Sequence, residues 1–164
     1  EAINYGHKKL DLKTFNIEDT IKELTSKAPY LENIEAVISS NIKSKEVEAD
    51  QILIEVMIKN VLENASRFTS PENSRIEINL EEIDTDSMKL SVRDYGPGFN
   101  EDDLEKVTEP FFRTGQSRSR KSGGFGLGLY LSKQIITAHS GTIQIKNHSQ
   151  QGAVVDLILP IKQE

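Results

Sequence analysis

The chain has 164 residues, of which 36% are hydrophobic and 28% are charged, proportions that suit one soluble α/β or α+β domain. Its formal net charge of −6 argues against general binding to nucleic acid or to anionic membranes. Because the chain has no cysteine, it has no disulfide framework, thiolate metal site or cysteine nucleophile. No apolar run approaches the length of a membrane span or forms a signal-peptide core. We therefore expect a cytoplasmic domain without direct membrane contact. Tethering of the parent protein to the inner membrane is compatible with this expectation.

The first residues are largely polar and carry few apolar anchors. We interpret residues 1–14 as the remnant of a linker from an upstream domain, with the folded domain at 15–164. Asn16 or Asp19 is suited to cap a first helix, because both side chains accept hydrogen bonds from free backbone N–H groups. Alternating apolar residues then predict a strand at 33–38.

Residues 50–69 have the length of a helix and contain neither glycine nor proline. One side of this helix is apolar, and a separate stripe carries Asn60, Asn64 and Arg67 at spacings of three and four. Asparagine is a mediocre helix former, so this row favours polar groups that face a ligand, while a solvated helix edge is the other interpretation. The apolar side comprises Ile54, Ile58, Val61, Leu62 and Ala65.

The second half of the chain predicts a hairpin, a loop-like stretch, a second long helix and two final strands. Together these elements indicate an α/β two-layer sandwich, with a mixed, mostly antiparallel sheet of about five strands covered on one face by about three helices. The predicted strands lie at 76–80, 88–92, 142–146 and 153–159, the loop at 95–125, and the helix at 125–138, with Gly141 placed to end it.

Glycine is concentrated in one part of the chain, since seven of the ten glycines fall between Gly96 and Gly128. Such clustering indicates backbone that approaches a ligand closely. Asp94 follows a predicted strand and could accept a hydrogen bond from an exocyclic amine, although a plain turn is the alternative. The run at 123–128 leads into a helix, whose free N–H groups and dipole favour an anion. It matches neither a Walker A loop nor a dinucleotide fingerprint.

Four basic residues without an intervening acid lie between the two glycine segments. In an acidic chain this cluster suggests attraction of phosphate, and a solvated flexible loop is the alternative. The joint order of polar helix, Asp-Gly turn, basic loop and glycine-rich helix start is more informative than any one of these features. The four residues are Arg113, Arg118, Arg120 and Lys121.

At these motifs the chain resembles the catalytic ATP-binding domain of sensor histidine kinases, in the wider family of gyrase, Hsp90 and MutL. The resemblance runs from about Phe15 to Lys162. It implies binding of ATP and Mg²⁺ and a mobile ATP lid at 99–123. The matching segments are NVLENASRF (60–68) as the N box, DYGPGF (94–99) as the G1 box, EPFFRTG (109–115) as the F box and GGFGLGL (123–129) as the G2 box.

The resemblance also implies roles for particular residues. Asn64 would coordinate Mg²⁺, Asn60 would support the metal or the phosphates, and Arg67 would lie near the γ-phosphate, which makes Asn60 and Arg67 the implied catalytic residues. Phe68 would border the base, and Asp94 would accept a hydrogen bond from the adenine amino group. The implied nucleotide-binding set is completed by Gly96, Gly98, Phe99, Arg113, Gly124, Gly126, Leu127 and Gly128.

In this family the phosphoacceptor is a histidine followed by an acid on a separate helical hairpin. None of His7, His139 and His148 matches that pattern, so the acceptor is expected on another domain of the parent protein. Phe111 and Phe112 in the lid would pack towards that dimerisation domain, and ordinary core packing is the alternative for both. The resemblance further implies relay to a response regulator, a monomeric fragment, and ATP·Mg²⁺ binding without self-labelling.

Two related enzyme classes and a binding domain are the alternative functions. An ATP-hydrolysing clamp of the gyrase, MutL or Hsp90 kind carries a glutamate where this chain has Asn60, and that glutamate activates water. Glu63 is a poor substitute, because it points about 60° away from Asn60 around the helix. A serine-directed anti-sigma kinase is also related, but EPFFRTG favours a sensor kinase. A degenerate, non-catalytic binding domain is disfavoured because the N, G1 and G2 residues look intact.

Overall fold

The computed structural model describes residues 9–112 and 128–163 of the chain. They form a five-stranded sheet with helices on one face, beside a smaller sheet. Within these ranges, no helix combines the length and the apolar character needed to cross a membrane. The helices are α1 (Ile17–Ser26), α2 (Gln51–Phe68) and α3 (Gly128–Ala138). The strands are β1 (Leu12–Asn16), β2 (Glu35–Ser40), β3 (Glu46–Asp50), β4 (Arg75–Glu82), β5 (Ser87–Asp94), β6 (Thr142–Asn147) and β7 (Ala153–Pro160).

The main sheet has the strand order β2-β4-β5-β7-β6. Only the β2–β4 pair is parallel, and the other neighbouring pairs of this sheet are antiparallel. Residues of β4 up to Glu81 and all residues of β5 alternate between half-buried and buried, so one face of the sheet packs against the helices. The predicted fold class, a mixed and mostly antiparallel two-layer sandwich, is confirmed.

A second, two-stranded sheet formed by β1 and β3 was not predicted. Both strands are short and rich in charged or polar residues, so the alternation that reveals a strand is weak; only Phe15, Val47 and Ala49 in them are buried. β1 begins at Leu12, inside the segment interpreted as linker. Glu48 N donates to Ile161 O at 2.8 Å, which joins this sheet to the end of the described chain.

The helix that carries the asparagines extends from Gln51 to Phe68, one residue inside the predicted span at each end. Asp50 caps α2, and its Oδ1 accepts a hydrogen bond from Leu53 N at 3.3 Å. The predicted apolar side is buried throughout, and Met57 on the neighbouring stripe is also only 2% exposed. Met57 lies about one turn before Asn60 on the same side of the helix, so this side packs in the core at Met57 and is polar from Asn60 onward.

The C-terminal end of α3 differs in detail from the prediction. Ser140 (φ 60°), and not Gly141, adopts the left-handed conformation that ends the helix. Gly141 N donates to Ile136 O at 2.8 Å. Glycine is needed at 141 for another reason, because a Cβ there would lie 2.2 Å from Ile158 O.

His139, directly before this turn, is fully buried and joins two helices. Its Nε2 accepts a hydrogen bond from Asp50 N at 3.0 Å, and its Nδ1 lies 2.8 Å from Ile135 O. Both contacts are satisfied by the neutral ring with the proton on Nδ1. His139 thus connects the end of α3 to the cap of α2, which is a structural role.

Candidate functional site

The polar stripe of α2 forms one side of the candidate site. Asn60 and Asn64 are half-buried, and the Arg67 side chain is 39% exposed. No hydrogen bond joins the side-chain amide of Asn60 or Asn64 to another of the described residues. Two amides one turn apart are therefore placed beside the core without being used by it.

The two ends of this stripe meet described residues of the two glycine segments, Gly128 and Gly96. At one end the first described residue of α3 lies against Asn60, since a Cβ on Gly128 would lie 3.8 Å from the Asn60 Cβ. At the other end the loop after β5 lies directly on the last turn of α2, since a Cβ on Gly96 would lie 1.8 Å from Phe68 O. The helix rises about 12 Å over the eight residues from Asn60 to Phe68. A single elongated surface thus extends between the two segments.

Asp94 ends β5 at the Phe68 end of the stripe and is 4% exposed. Gly96 N donates to Asp94 Oδ1 at 2.9 Å, and Ala153 N donates to the same oxygen at 3.3 Å. Among the described residues, none makes a hydrogen bond to Oδ2. Burial raises the pKa of Asp94, and these two hydrogen bonds and the charge of Arg93 oppose that shift. A buried carboxylate with one oxygen occupied is suited to accept a hydrogen bond from a ligand amine.

Residues 94–99, here called the Asp94 loop, are anchored on both sides. Tyr95 N donates to Thr69 Oγ1 at 3.1 Å, and the Gln151 amide donates to Tyr95 O at 2.8 Å. The Tyr95 hydroxyl is hydrogen bonded to Glu77, and the Arg93 guanidinium lies 4.2 Å from the centre of the Tyr95 ring. The chain after α2 and the β6–β7 turn therefore hold the loop in place.

Two aromatic rings border the site at this end. The rings of Phe68 and Phe99 meet edge to face, with centroids 5.6 Å apart and an interplanar angle of 62°. The amide of Asn147 binds both backbone polar groups of Phe99, at 2.8 Å and 2.7 Å. Sequence reasoning missed Thr69, Asn147 and Gln151, because each acts through a contact distant in the chain.

Glu63 lies on the other flank of α2. Its carboxylate oxygens are 3.8 Å from Lys59 Nζ and 3.9 Å from Arg67 Nη2. Its charge also adds to the effect of burial, which raises the pKa of Tyr30 to about 12, so Glu63 faces the segment between α1 and β2. Glu63 is therefore held by cations one turn away on each side, and one of them, Arg67, belongs to the amide stripe.

Part of the predicted site lies outside the described residues, namely Arg113, Arg118, Arg120, Lys121, Gly124, Gly126 and Leu127. The described part of the predicted lid, 99–112, packs on the core through Leu104, Val107 and Phe112. Phe111 has a φ of 65° and is 70% exposed. The two neighbouring phenylalanines thus differ, because Phe112 contacts the core and Phe111 faces outward.

The described residues contain no group of three or more His, Cys, Asp and Glu side chains that could hold a metal ion. Magnesium prefers hard oxygen ligands and keeps several waters, so one amide oxygen is sufficient when a ligand supplies phosphate oxygens. The Asn60–Asn64 pair has this character. The donor set fits a cation that arrives with a phosphate ligand.

The family profile described as "Histidine kinase-, DNA gyrase B-, and HSP90-like ATPase" matches residues 49–163. Sensor histidine kinase WalK of Bacillus subtilis is 34% identical over 119 residues, which are 72% of this chain and 19% of WalK. Sensor protein CiaH of Streptococcus pneumoniae is 32% identical over 116 residues, which are 71% of this chain and 26% of CiaH. The chain thus spans about a fifth to a quarter of these curated relatives.

A solved structure, the catalytic domain of histidine kinase ThkA, has a TM-score of 0.78 to this chain and 29% sequence identity. The match covers 93% of this chain and 99% of the ThkA chain. The residues matched by the family profile include α2, the β4–β5 hairpin, α3 and the last two strands, which are the elements that position the candidate site.

Proposed function

This chain belongs to the family of histidine kinase-, DNA gyrase B- and HSP90-like ATPases, with sensor histidine kinases among its relatives, and from this we propose that it binds ATP·Mg²⁺ and donates the γ-phosphoryl group to a histidine on a separate helical domain. The resemblance to histidine kinase catalytic domains expected from the sequence is confirmed. The bound metal, the transfer to histidine and the individual residue roles belong to the proposal.

One observation carries the proposal: the amide stripe of α2 extends from the start of α3 to the Asp94 loop. The base would lie at the Phe68 end, where Asp94 accepts a hydrogen bond from its amino group and the two aromatic rings supply apolar contact. The phosphates would lie at the Asn60 end, beside the first residue of α3. Asn64 lies between these ends, where its amide oxygen would hold Mg²⁺.

The phosphate end is supported by electrostatics. The described part of helix α3 starts at Gly128, and the sequence predicts the N-terminal end of this helix at about 125, where the first N–H groups and the dipole would favour an anion. Asn60 lies beside this region on α2 and would contact phosphate oxygens, and Arg67, which is attached nearer the Phe68 end, would extend its long side chain towards the γ-phosphate. Bound Mg²⁺ would neutralise the charge of the phosphates. Phosphoryl transfer depends on positioning and charge stabilisation more than on a protein nucleophile, so these groups are chemically adequate.

The acceptor histidine is proposed to lie on another domain of the parent protein. His139 is fully buried with both ring nitrogens engaged, and His148 Nδ1 accepts a hydrogen bond from Gln150 N at 3.1 Å. His7 lies outside the described residues. The exposed ring of Phe111 supports docking of the dimerisation and phosphoacceptor domain at this side, whereas Phe112 packs against the core. The same proposal includes cytoplasmic placement, a monomeric fragment and relay to a response regulator.

An ATP-hydrolysing clamp is the weaker candidate. That chemistry needs a carboxylate that activates water beside the γ-phosphate, and Asn60 cannot act as such a base. The Glu63 carboxylate is occupied by ion pairs with Lys59 and Arg67, one turn away on either side. The contacts of Glu63 therefore support the transferase over the hydrolase.

The test is a calorimetric titration with ATP in the presence and absence of Mg²⁺, followed by incubation with ATP labelled at the γ-phosphate. We expect Mg²⁺-dependent binding and a melting temperature that rises with ATP concentration. We expect no acid-labile label on the chain alone, and label on the phosphoacceptor domain of the parent protein when it is added. Acid-labile label on the chain alone would contradict the proposal. So would steady hydrolysis that survives Asn60→Ala and is lost in Glu63→Ala.

A further inference from the structure

The turn between β6 and β7 contacts the Asp94 loop, and Asn147, the last residue of β6, supplies two of the bonds. Its Oδ1 accepts a hydrogen bond from Phe99 N at 2.8 Å, and its Nδ2 donates to Phe99 O at 2.7 Å. One side chain therefore satisfies both backbone polar groups of a residue 48 positions away.

This pair of bonds requires a carboxamide, which carries an acceptor oxygen and a donor nitrogen on one carbon. Aspartate keeps the acceptor but turns a second oxygen towards the Phe99 carbonyl, and alanine removes both groups. Gly98 permits the close approach, because its φ is +76° and a Cβ there would lie 2.7 Å from Asn147 Oδ1. The sequence of the loop and the side chain of Asn147 are thus matched to each other.

The side chain of Asn147 contributes little to the fold itself. Asn147 is exposed and lies outside the hydrophobic core. The strand pairing continues to its end without the side chain, because Asn147 is the ladder partner of Ala153 and His148 N donates to Gly152 O at 2.8 Å. The element that depends on the Asn147 amide is the Asp94 loop.

Phe99 is the residue through which this contact reaches the candidate site. Its ring meets Phe68, the last residue of α2, edge to face at 5.6 Å between centroids. We propose that Asn147 is a positioning residue, which holds Phe99 opposite Phe68 and so sets the aromatic border of the base-binding end. This inference rests on the proposed function, because it assigns the Phe68 end to the base of the nucleotide.

The test compares Asn147→Ala and Asn147→Asp with the same two substitutions at Asn41. Asn41 is a matched control, because it is an exposed asparagine that follows β2, at the opposite edge of the sheet from β6. The measurements are the Kd of ATP·Mg²⁺, ADP·Mg²⁺ and adenosine by calorimetry, the melting temperature, and the exchange rate of the Phe99 amide proton by NMR.

We expect each Asn147 variant to bind all three ligands more weakly by a similar factor, about 3- to 10-fold, because the base is common to them. The Phe99 amide should exchange faster, and the melting temperature should change by no more than about 4 °C. The Asn41 variants should match the wild type. Adenosine makes the distinction, since an effect of added charge in Asn147→Asp would be larger for ATP than for adenosine.

Two results would overturn the inference. Wild-type affinities in Asn147→Ala would show that the hydrogen bonds between Asn147 and Phe99 do not position the site, while leaving the proposed function intact. A loss confined to ATP would place the effect at the phosphates and not at the base. Absence of ATP binding by the wild-type chain would instead refute the proposed function and this inference together.

Discussion

Asp94→Asn separates ligand binding from stability, because the two side chains have the same shape and differ in charge and in hydrogen bonding. The variant keeps an Oδ1 that accepts from Gly96 N and Ala153 N, at 2.9 Å and 3.3 Å in the wild type. It replaces the second carboxylate oxygen by an NH₂ donor. An adenine amino group would then face a donor in place of an acceptor.

The expected loss of ATP affinity follows from burial. Asp94 is 4% exposed, so a donor left without a partner there is not compensated by water. Losing a hydrogen bond to a charged group costs about 1.5–3 kcal/mol, and we therefore expect ATP to bind about 10- to 100-fold more weakly. ADP should lose the same factor, because both nucleotides carry the same base.

The effect of Asp94→Asn on stability should depend on pH and should favour the variant as the pH rises. Burial raises the pKa of Asp94 above its ordinary value of 3.8, so the folded state holds this proton more tightly than the unfolded state. The stabilisation of the protonated form is fully present below the unfolded pKa and is lost as the pH rises through the folded pKa. Asparagine does not titrate. The stability of Asp94→Asn relative to wild type should therefore increase with pH from just below the unfolded pKa to above the folded one.

The assay combines ATP titration at neutral pH with urea unfolding from about pH 4 to about pH 8. The reasoning is refuted if Asp94→Asn binds ATP as tightly as the wild type. It is also refuted if the stability difference between the two proteins falls with rising pH.

Three further substitutions test other parts of the account. Gly96→Ala should lower the free energy of unfolding by about 1–3 kcal/mol and weaken ATP binding, because the new Cβ would lie 1.8 Å from Phe68 O. The control is Gly128→Ala, whose Cβ would lie 3.8 Å from Asn60 Cβ. It should change the free energy of unfolding in urea by less than about 1 kcal/mol. His139→Ala should cost about 2–4 kcal/mol of stability, because it leaves a cavity and removes the partner of Asp50 N. His148→Ala is the control, and a similar loss of stability in that variant would argue against this reasoning. Arg67→Ala should weaken the binding of ATP about 10-fold and that of ADP less, because Arg67 is proposed to contact the γ-phosphate. Lys59→Ala is the control, because it also removes an ion-pair partner of Glu63, and it should leave both affinities unchanged. Equal effects of these last two substitutions in calorimetry would assign the role of Arg67 to the ion pair.

The elements that could be predicted from the sequence have a strong local signal. The β4–β5 hairpin alternates without interruption, and α2 has both a capping residue, Asp50, and an uninterrupted apolar side. β1 and β3 lack such a signal, because they are stabilised by pairing with each other and by the backbone contact of Glu48 with Ile161. Ser140 could not be foreseen either, since the neighbouring glycine is the usual left-handed residue.

For the candidate site, sequence reasoning predicted residues that would face a ligand and missed those that hold the described ones in place. The structure brings Asn60 next to Gly128, and Phe68 next to Gly96 and Phe99, whereas their roles towards ATP stay predictions. The supporting bonds join residues 26, 56 and 48 positions apart, through Thr69, Gln151 and Asn147. The one available signal was that Asn147 is a polar residue directly after a predicted strand.

The most direct measurement is the Mg²⁺ dependence of the ATP dissociation constant in the wild-type chain and in Asn64→Ala, with Asn41→Ala as the control. The account predicts that Mg²⁺ tightens ATP binding to the wild type and the control, and that this gain is lost in Asn64→Ala. An equal gain from Mg²⁺ in all three proteins would contradict the claim that the amide stripe of α2 holds the magnesium nucleotide.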